Sequence, residues 1–190
     1  MDYQLIKSDQ HKTTTWAGGT TTELFIYPET SNYKSLDFNF RLSSATVELE
    51  TSSFTPLPSV SRKLMILDGE IEITHEKQYS KKLKEFDTDE FEGNWKTSSV
   101  GKCVDFNLMT RGSVDSDISS VLFKKGESKK ISTSGNFTFL YLYRGQIKIS
   151  LNNEFFFLEE GDLFVINSEK EFLISVDAGI DVKLIVAKIF

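Results

Sequence analysis

Apolar and polar residues alternate along almost the whole chain, in short runs rich in β-branched and aromatic residues. This period of two predicts β-strands, because successive side chains of a strand point to opposite faces of a sheet. The predicted strands are Thr20–Tyr27, Phe38–Glu50, Lys63–Leu67, Glu70–His75, Cys103–Met109, Val121–Lys125, Phe137–Tyr143, Gln146–Leu151, Glu154–Leu158, Leu163–Ile166, Phe172–Val176 and Val182–Ile189. Turn signals such as Asp68-Gly69 separate them, and no segment has the period of an amphipathic helix. Many short strands at near-regular spacing indicate a sandwich or a barrel.

One strand–turn–strand pattern occurs twice without a gap. Residues 63–74 (KLMILDGEIEIT) align with residues 139–150 (FLYLYRGQIKIS), and the second copy is followed by another tight turn at Gly161-Asp162. This order resembles the cupin barrel, so two copies predict an all-β double cupin, a bicupin of two jelly-roll-like barrels. The polar stretch Gly112–Ser120 marks the junction. We therefore expect a first barrel at residues 1–112 and a second barrel at residues 113–190.

Composition and charge narrow the possible partners. The chain has 190 residues, of which 39% are hydrophobic, and a formal net charge of −6 at pH 7. No nucleic-acid partner is expected, since phosphate binding needs clustered Lys and Arg. The N-terminus lacks a basic segment followed by an apolar run, and no apolar run is long enough to span a bilayer. We expect a cytoplasmic protein without a membrane partner.

Metal chemistry is not expected, although most enzymatic cupins hold a metal through several His residues. This chain has two His, His11 and His75, which are far apart in sequence. They cannot supply a His-rich site, and no Asp/Glu cluster has recognisable ligand spacing. Both His are predicted at surface or turn positions. No cofactor is assigned, and no residue is assigned as catalytic.

Two polar residues stand inside an otherwise apolar strand. Asp105 and Asn107 share one face of Cys103–Met109, although Asp and Asn are poor strand formers. Burying them costs stability unless they have partners or a task. One interpretation is a one-sided strand with its polar face in water, and the other is a polar site inside the first barrel.

Other polar residues are predicted to face the same barrel interior. Alternation places Arg41 and Ser43 on the same strand face as the apolar residues that follow them in that strand. By the same argument, Arg62 shares a face with Leu64, and Thr22 shares a face with Leu24. A barrel mouth ringed by these groups above an apolar floor suits a small carboxylate ligand. The alternative is an internal salt bridge of Arg41 or Arg62 with Asp105 that only closes the barrel end.

Four ordered blocks resemble the signature segments of the HutD/Ves family of bicupins. The blocks are residues 16–23 (WAGGTTTE), 41–45 (RLSSA), 54–62 (FTPLPSVSR) and 105–111 (DFNLMTR). The resemblance implies a bicupin without the usual metal site and a link to the regulation of histidine catabolism, with a small acid as ligand. It also implies a carboxylate contact for Arg62 and site roles for Trp16 and for Thr21–Glu23, including Thr22 and Glu23. The first block lacks an Asn that the family usually has.

Three functions remain open at this point. The first is a metal-independent small-molecule-binding protein with a regulatory or protective role, in which Arg62 and Arg41 pair with a carboxylate. The second is a metal-independent isomerase or hydrolase that uses Asp105 or Glu23 as general base. The third is a structural or interaction protein without a ligand.

The second barrel is rich in apolar residues. Its run Phe155-Phe156-Phe157 has apolar surface that faces either the first barrel or a partner subunit. A homodimer is therefore among the expected partners.

Overall fold

The computed structural model describes all residues, 1–190, as eighteen β-strands and two short 3-10 helices. The all-β prediction is confirmed. None of its helices has the length and apolarity needed to cross a bilayer. The chain divides into two compact units: Lys12–Val114, here called the first barrel, and Met1–His11 with Asp115–Phe190, here called the second barrel.

The first barrel is built on one large curled sheet. Its strands are β2 (Lys12–Trp16), β3 (Gly19–Tyr27), β4 (Phe40–Val47), β5 (Thr51–Ser53), β6 (Val60–His75), β7 (Tyr79–Lys84), β8 (Thr88–Glu92), β9 (Thr97–Val100) and β10 (Cys103–Arg111), and a 3-10 helix spans Tyr33–Ser35. The sheet order is β2-β3-β4-β10-β6-β9-β5, and β7 and β8 also pair with β6. β10 therefore lies between β4 and β6 and brings their inward-facing residues together.

Strand β6 is continuous where the sequence predicted two strands and a turn. Gly69 adopts a positive φ of 84°, and the pairing of β10 with β6 shifts register between Val104 and Asp105. A Cβ at Gly69 would lie 2.4 Å from the Lys102 carbonyl oxygen, so this close approach requires Gly. The register leaves Leu67 unpaired, so the Asp68-Gly69 signal lies beside a β-bulge in a continuous strand and not at a reversing turn.

The second barrel consists of two sheets around an apolar core. Its strands are β1 (Asp2–Ile6), β11 (Ser116–Phe123), β12 (Ser128–Ser132), β13 (Phe137–Arg144), β14 (Ile147–Leu151), β15 (Glu154–Leu158), β16 (Leu163–Asn167), β17 (Leu173–Ala178) and β18 (Val182–Ile189), and a 3-10 helix spans Ser8–Gln10. The sheet orders are β1-β16-β13-β18-β11 and β12-β17-β14-β15. Buried apolar side chains such as Leu140, Ile149, Phe164 and Leu184 fill the space between the sheets. Burial of this apolar surface drives formation of the barrel.

The first eleven residues belong to the second barrel, which differs from the expected division at residues 1–112 and 113–190. Strand β1 pairs antiparallel with β16, from Asp2 opposite Asn167 to Ile6 opposite Leu163. The fully buried Asp162 accepts hydrogen bonds from Lys7 Nζ (2.5 Å) and from the Ser8 amide (2.9 Å). Partners this distant in sequence leave no local signal, so alternation alone could not place the segment.

The aromatic run of β15 is split between two environments. Phe156 packs against Phe164 (ring centroids 4.9 Å apart) and so joins the core. Phe155 and Phe157 point the other way and are 62% and 65% exposed. Period-two alternation explains the division, and β15 forms the edge of its sheet.

Candidate functional site

A cavity of about 650 Å³ opens inside the first barrel. Its lining includes alternate residues of the two central strands: Arg41, Ser43, Ala45 and Val47 on β4, and Cys103, Asp105, Asn107 and Met109 on β10. The antiparallel register sets Asp105 opposite Ala45 and Asn107 opposite Ser43. One face of each strand therefore forms the cavity wall, as expected for side chains that alternate along a strand.

The structure brings seven of the eight predicted site residues to this cavity. They are Trp16, Glu23, Arg41, Ser43, Arg62, Asp105 and Asn107. Thr22 does not line it, and its Oγ1 instead lies 2.8 Å from Oγ1 of Thr13. The prediction from alternation failed there because β3 shifts register between Glu23 and Phe25. The face of Thr22 therefore cannot be assigned from that of Leu24. Thr21 takes the inward position.

Arg62 is a buried cation without an ion-pair partner. Its side chain is 6% exposed, and NH2 donates a hydrogen bond to Oδ1 of Asn107 at 2.9 Å. The guanidinium lies 4.9 Å from the ring centroid of Phe54 and 5.2 Å from that of Phe91. Its Nε–H has no hydrogen-bond partner. Burial lowers the pKa of Arg62 to about 10, while the negative charge of Asp105 opposes this decrease.

Asp105 is a buried anion on the same cavity wall. It is 4% exposed, and Oδ1 accepts a hydrogen bond from Nδ2 of Asn107 at 2.6 Å. Burial raises the pKa of Asp105 to about 6, although the charge of Arg62, the Asn107 amide and the Ala45 backbone favour the ionised form. The carboxyl group is therefore mostly ionised at pH 7 and titrates within the physiological range.

The internal salt bridge considered from sequence forms with a different carboxylate. Arg41 Nε donates to Oε2 of Glu23 at 2.7 Å, and Arg41 NH1 donates to Oγ of Ser43 at 3.1 Å. The guanidinium also lies 4.4 Å from the ring centroid of Tyr33. Neither arginine forms an ion pair with Asp105. Arg41 is engaged by Glu23, and Asn107 stands between Arg62 and Asp105. Arg41 is therefore neutralised within the protein, and Arg62 is not.

Several cavity residues were missed from sequence. Phe54 was within reach because it opens the block that ends in Arg62, and Lys12 and Thr14 were within reach because they alternate with Trp16. Tyr33 belongs to a 3-10 helix outside any periodic segment, so no sequence signal pointed to it. These residues add aromatic surface and one more cation to the polar set.

His75 is buried, which corrects its predicted surface or turn position. It is 1% exposed, with Nδ1 2.8 Å from Thr97 Oγ1 and Nε2 2.8 Å from Asp89 Oδ2. Its ring centroid lies 4.5 Å from that of Phe91, which also contacts Arg62. The partners come from β8 and β9, so only strand pairing assembles this cluster. His75 supports one of the two rings against which Arg62 packs.

His11 is half-buried and lies at a bend between the 3-10 helix Ser8–Gln10 and β2. Its Nε2 donates to the carbonyl oxygen of Gly161 at 3.0 Å, and burial lowers its pKa. No group of three or more His, Cys, Asp or Glu side chains in the structure is arranged to hold a metal ion. In the cavity, burial raises the pKa of Cys103 to about 12, so this residue is a thiol at neutral pH.

Comparison with known proteins gives consistent results. The family model described as HutD matches residues 8–183. The fold is similar to that of a conserved protein of unknown function from Pseudomonas aeruginosa (TM-score 0.86, 17% identity, covering 100% of this chain and 99% of that one). It is also similar to HutD from Pseudomonas fluorescens (TM-score 0.75, 17% identity, 100% of each chain). No curated protein sequence matches.

A more distant structural relative supports the double-cupin interpretation. The bacterial pirin YhhW from Escherichia coli, solved in complex with nickel(II), has a TM-score of 0.75 at 10% identity and covers 98% of both chains. At such identities the likeness shows the fold alone. The double-cupin fold predicted from the internal repeat is confirmed.

Proposed function

The chain belongs to the HutD family, and from this premise and the site geometry we propose that it binds a small carboxylate in the first-barrel cavity, with Arg62 as the anchor.

The observation that carries this proposal is the unpaired buried charge of Arg62. Taking an ion out of water costs several kcal/mol unless a counter-charge and hydrogen bonds compensate. The guanidinium here has a neutral amide as its polar partner, and its Nε–H is unused. A carboxylate ligand would supply both the counter-charge and the missing acceptor, because it matches the planar fork of a guanidinium.

The remainder of the cavity suits the body of such a ligand. A volume of about 650 Å³ lies within the range of roughly 300–1,000 Å³ that is usual for small-molecule sites. The indole of Trp16 and the rings of Tyr33 and Phe54 provide apolar surface, and Ser43 and Asn107 provide polar contacts. This mixture of aromatic surface and a few polar groups is typical of small-molecule pockets.

Ligand binding with a regulatory or protective role fits the site better than catalysis does. No nucleophile is paired with a general base in the cavity, and Glu23 is engaged by Arg41. Membership of the HutD family supports a role linked to histidine or amino-acid catabolism. The cytoplasmic location, the homodimer and the absence of nucleic-acid and membrane partners stay predictions.

One observation favours a second candidate function, a metal-independent isomerase or hydrolase with Asp105 as general base. Burial raises the pKa of this carboxyl to about 6, toward the values useful in general acid–base catalysis. Incubation of the protein with each bound compound, followed by NMR of that compound, separates the candidates. An unchanged spectrum supports binding alone, and a new product that disappears with Asp105→Asn supports the enzyme.

The carboxylate site is tested by thermal unfolding with a panel of small acids: urocanate, formylglutamate, formate, histidine and common dicarboxylates. A ligand at about a hundred times its dissociation constant adds roughly 2.7 kcal/mol to the free energy of unfolding. For a chain of this size that corresponds to an increase of about 5–10 °C in Tm. We expect such a shift for the wild type and its loss in Arg62→Ala.

A matched control separates the loss of the anchor from a general loss of positive charge. Arg144 is exposed and paired with Glu160 in the second barrel, so Arg144→Ala should retain the ligand shift. Arg62→Lys keeps the charge but loses the planar fork, and it should weaken the shift without abolishing it. A flat panel, or a shift that survives Arg62→Ala, contradicts the proposal and favours a structural protein without a ligand.

A further inference from the structure

The first-barrel cavity contains a separated pair of opposite charges. Arg62 and Asp105 are both buried and both line the cavity, yet they form no ion pair. Asn107 holds them apart, because its Oδ1 accepts from Arg62 at 2.9 Å and its Nδ2 donates to Asp105 at 2.6 Å. The amide is neutral, so it satisfies hydrogen bonds on both sides without cancelling either charge.

Neither charge is neutralised by another group in the cavity wall. Arg41 uses Nε for Glu23 and NH1 for Ser43. Asp105 accepts hydrogen bonds from the Asn107 amide and the Ala45 backbone but forms no ion pair, and Arg62 has its unused Nε–H. Each buried charge therefore lines the cavity without an ion-pair partner, and the two charges require ligand groups of opposite sign.

Resting on the carboxylate site proposed above, we infer that the ligand is zwitterionic: its carboxylate binds Arg62 and its ammonium group binds Asp105. Small amino acids are the simplest compounds of this class. Such a ligand supplies a counter-charge to each buried ion at once, which neither a plain carboxylate nor a plain amine can do. The aromatic surface of Trp16 and Phe54 remains for the side chain of the ligand.

A plain carboxylate would face a penalty in the same cavity. It would add a second negative charge near Asp105 in a desolvated space, where like charges disfavour each other's ionised form. It would therefore bind with uptake of a proton by Asp105. The other charged and titratable groups that line the cavity are Arg62 on β6, Arg41 on β4, Glu23 on β3, Cys103 on β10, Lys12 on β2, and Tyr33 and Lys34 in the 3-10 helix Tyr33–Ser35. Of these, Arg41 and Glu23 neutralise each other.

The two ligand classes consequently predict opposite pH dependence. The zwitterion requires ionised Asp105, whose pKa is about 6, so its affinity falls as the pH is lowered through that value. A plain carboxylate gains affinity over the same interval because protonation removes the repulsion. The direction of the change thus identifies the ligand class without knowledge of the natural compound.

The test uses matched pairs of probes that differ only in the ammonium group. Leucine is compared with 4-methylpentanoate, phenylalanine with 3-phenylpropanoate and glutamate with glutarate, by isothermal titration calorimetry at about pH 7.5 and about pH 5. The other protein amino acids are screened by thermal unfolding. We expect at least one amino acid to bind roughly tenfold or more tightly than its deaminated analogue at the higher pH, as for a charged hydrogen bond.

Asp105→Asn is the decisive variant, because it removes the charge and keeps the shape. It should weaken binding of the amino acid by roughly tenfold or more. Binding of the deaminated analogue should be unchanged or tighter. Its Tm without ligand verifies that the barrel is folded. Amino-acid binding that is indifferent to Asp105→Asn overturns the inference.

The outcomes also separate this inference from the proposal on which it rests. If the analogues bind as tightly as the amino acids, and Arg62→Ala abolishes that binding, the carboxylate site stands and the zwitterionic ligand is wrong. If neither amino acids nor analogues bind, both are overturned.

Discussion

Substituting Asn for Asp105 should stabilise the free protein at neutral pH and leave its stability unchanged in acid. Burial raises the pKa of Asp105 to about 6 in the folded state, whereas an Asp in an unfolded chain titrates near 3.9. Between these two values the folded protein holds a proton that the unfolded chain has released. The free energy of unfolding of the wild type therefore falls as the pH rises through this interval.

The magnitude follows from the separation of the two pKa values. A difference of about two pKa units at about 1.4 kcal/mol each corresponds to roughly 3 kcal/mol of wild-type stability lost between about pH 4 and pH 7. Asp105→Asn keeps an oxygen for the Asn107 amide and removes the titrating charge. We therefore expect this variant to be more stable than the wild type by up to about 3 kcal/mol above pH 7, with the difference vanishing near pH 4.

Urea unfolding of both proteins at several pH values between about 4 and 8 measures this difference directly. Asp117→Asn is the matched control, since Asp117 is exposed on β11 and the same substitution there should have little effect at any pH. A variant that is less stable than the wild type at neutral pH, or a difference that does not change with pH, would refute the reasoning. It would mean that Arg62 stabilises the ionised carboxylate more than burial disfavours it.

Three further outcomes are expected. Asp162→Ala leaves two backbone amides and Lys7 without their buried acceptor, so it should cost about 2–4 kcal/mol in urea unfolding, whereas exposed Asp181→Ala should cost much less; equal costs would contradict this. Gly69→Ala in the first barrel should lower Tm by more than Gly126→Ala in the second barrel, because the two glycines have similar φ (84° and 83°) but only at Gly69 would a Cβ meet backbone atoms. Similar Tm losses would exclude the clash. Cys103 should react with a thiol reagent only after unfolding, since burial raises its pKa to about 12, and rapid labelling of the native protein would contradict that burial.

The interiors of the two barrels differ in polarity. Apolar side chains fill the interior of the second barrel, whereas the first barrel has, beside its own apolar clusters, a cavity lined by Arg62, Asp105 and Asn107. The internal repeat, which is shared by both barrels, concerns the strands and turns and not the inward-facing polar residues. The ligand site proposed above therefore lies in the first barrel.

The sequence by itself determined the fold class and most of the candidate site. Period-two alternation requires no knowledge of strand partners, so it placed Arg41 with Ser43, and Asp105 with Asn107, on faces that do line the cavity. The internal repeat indicated two barrels for the same reason, since a repeated strand–turn–strand pattern is a local property. Alternation failed at Thr22, where β3 has a bulge, and the turn signal Asp68-Gly69 failed beside the bulge in β6.

Only the tertiary structure decided which groups meet. Arg41 binds Glu23 and not Asp105, His75 is buried between Asp89 and Thr97, and residues 1–11 join the second barrel. Each of these contacts depends on long-range strand pairing, and so does the burial that raises the pKa of Asp105 against the opposing effects of Arg62, Asn107 and the Ala45 backbone. A sequence lists charges but not the distances between them. The separation of Arg62 from Asp105 by one amide, on which the proposed ligand depends, exists only once β6 and β10 are paired.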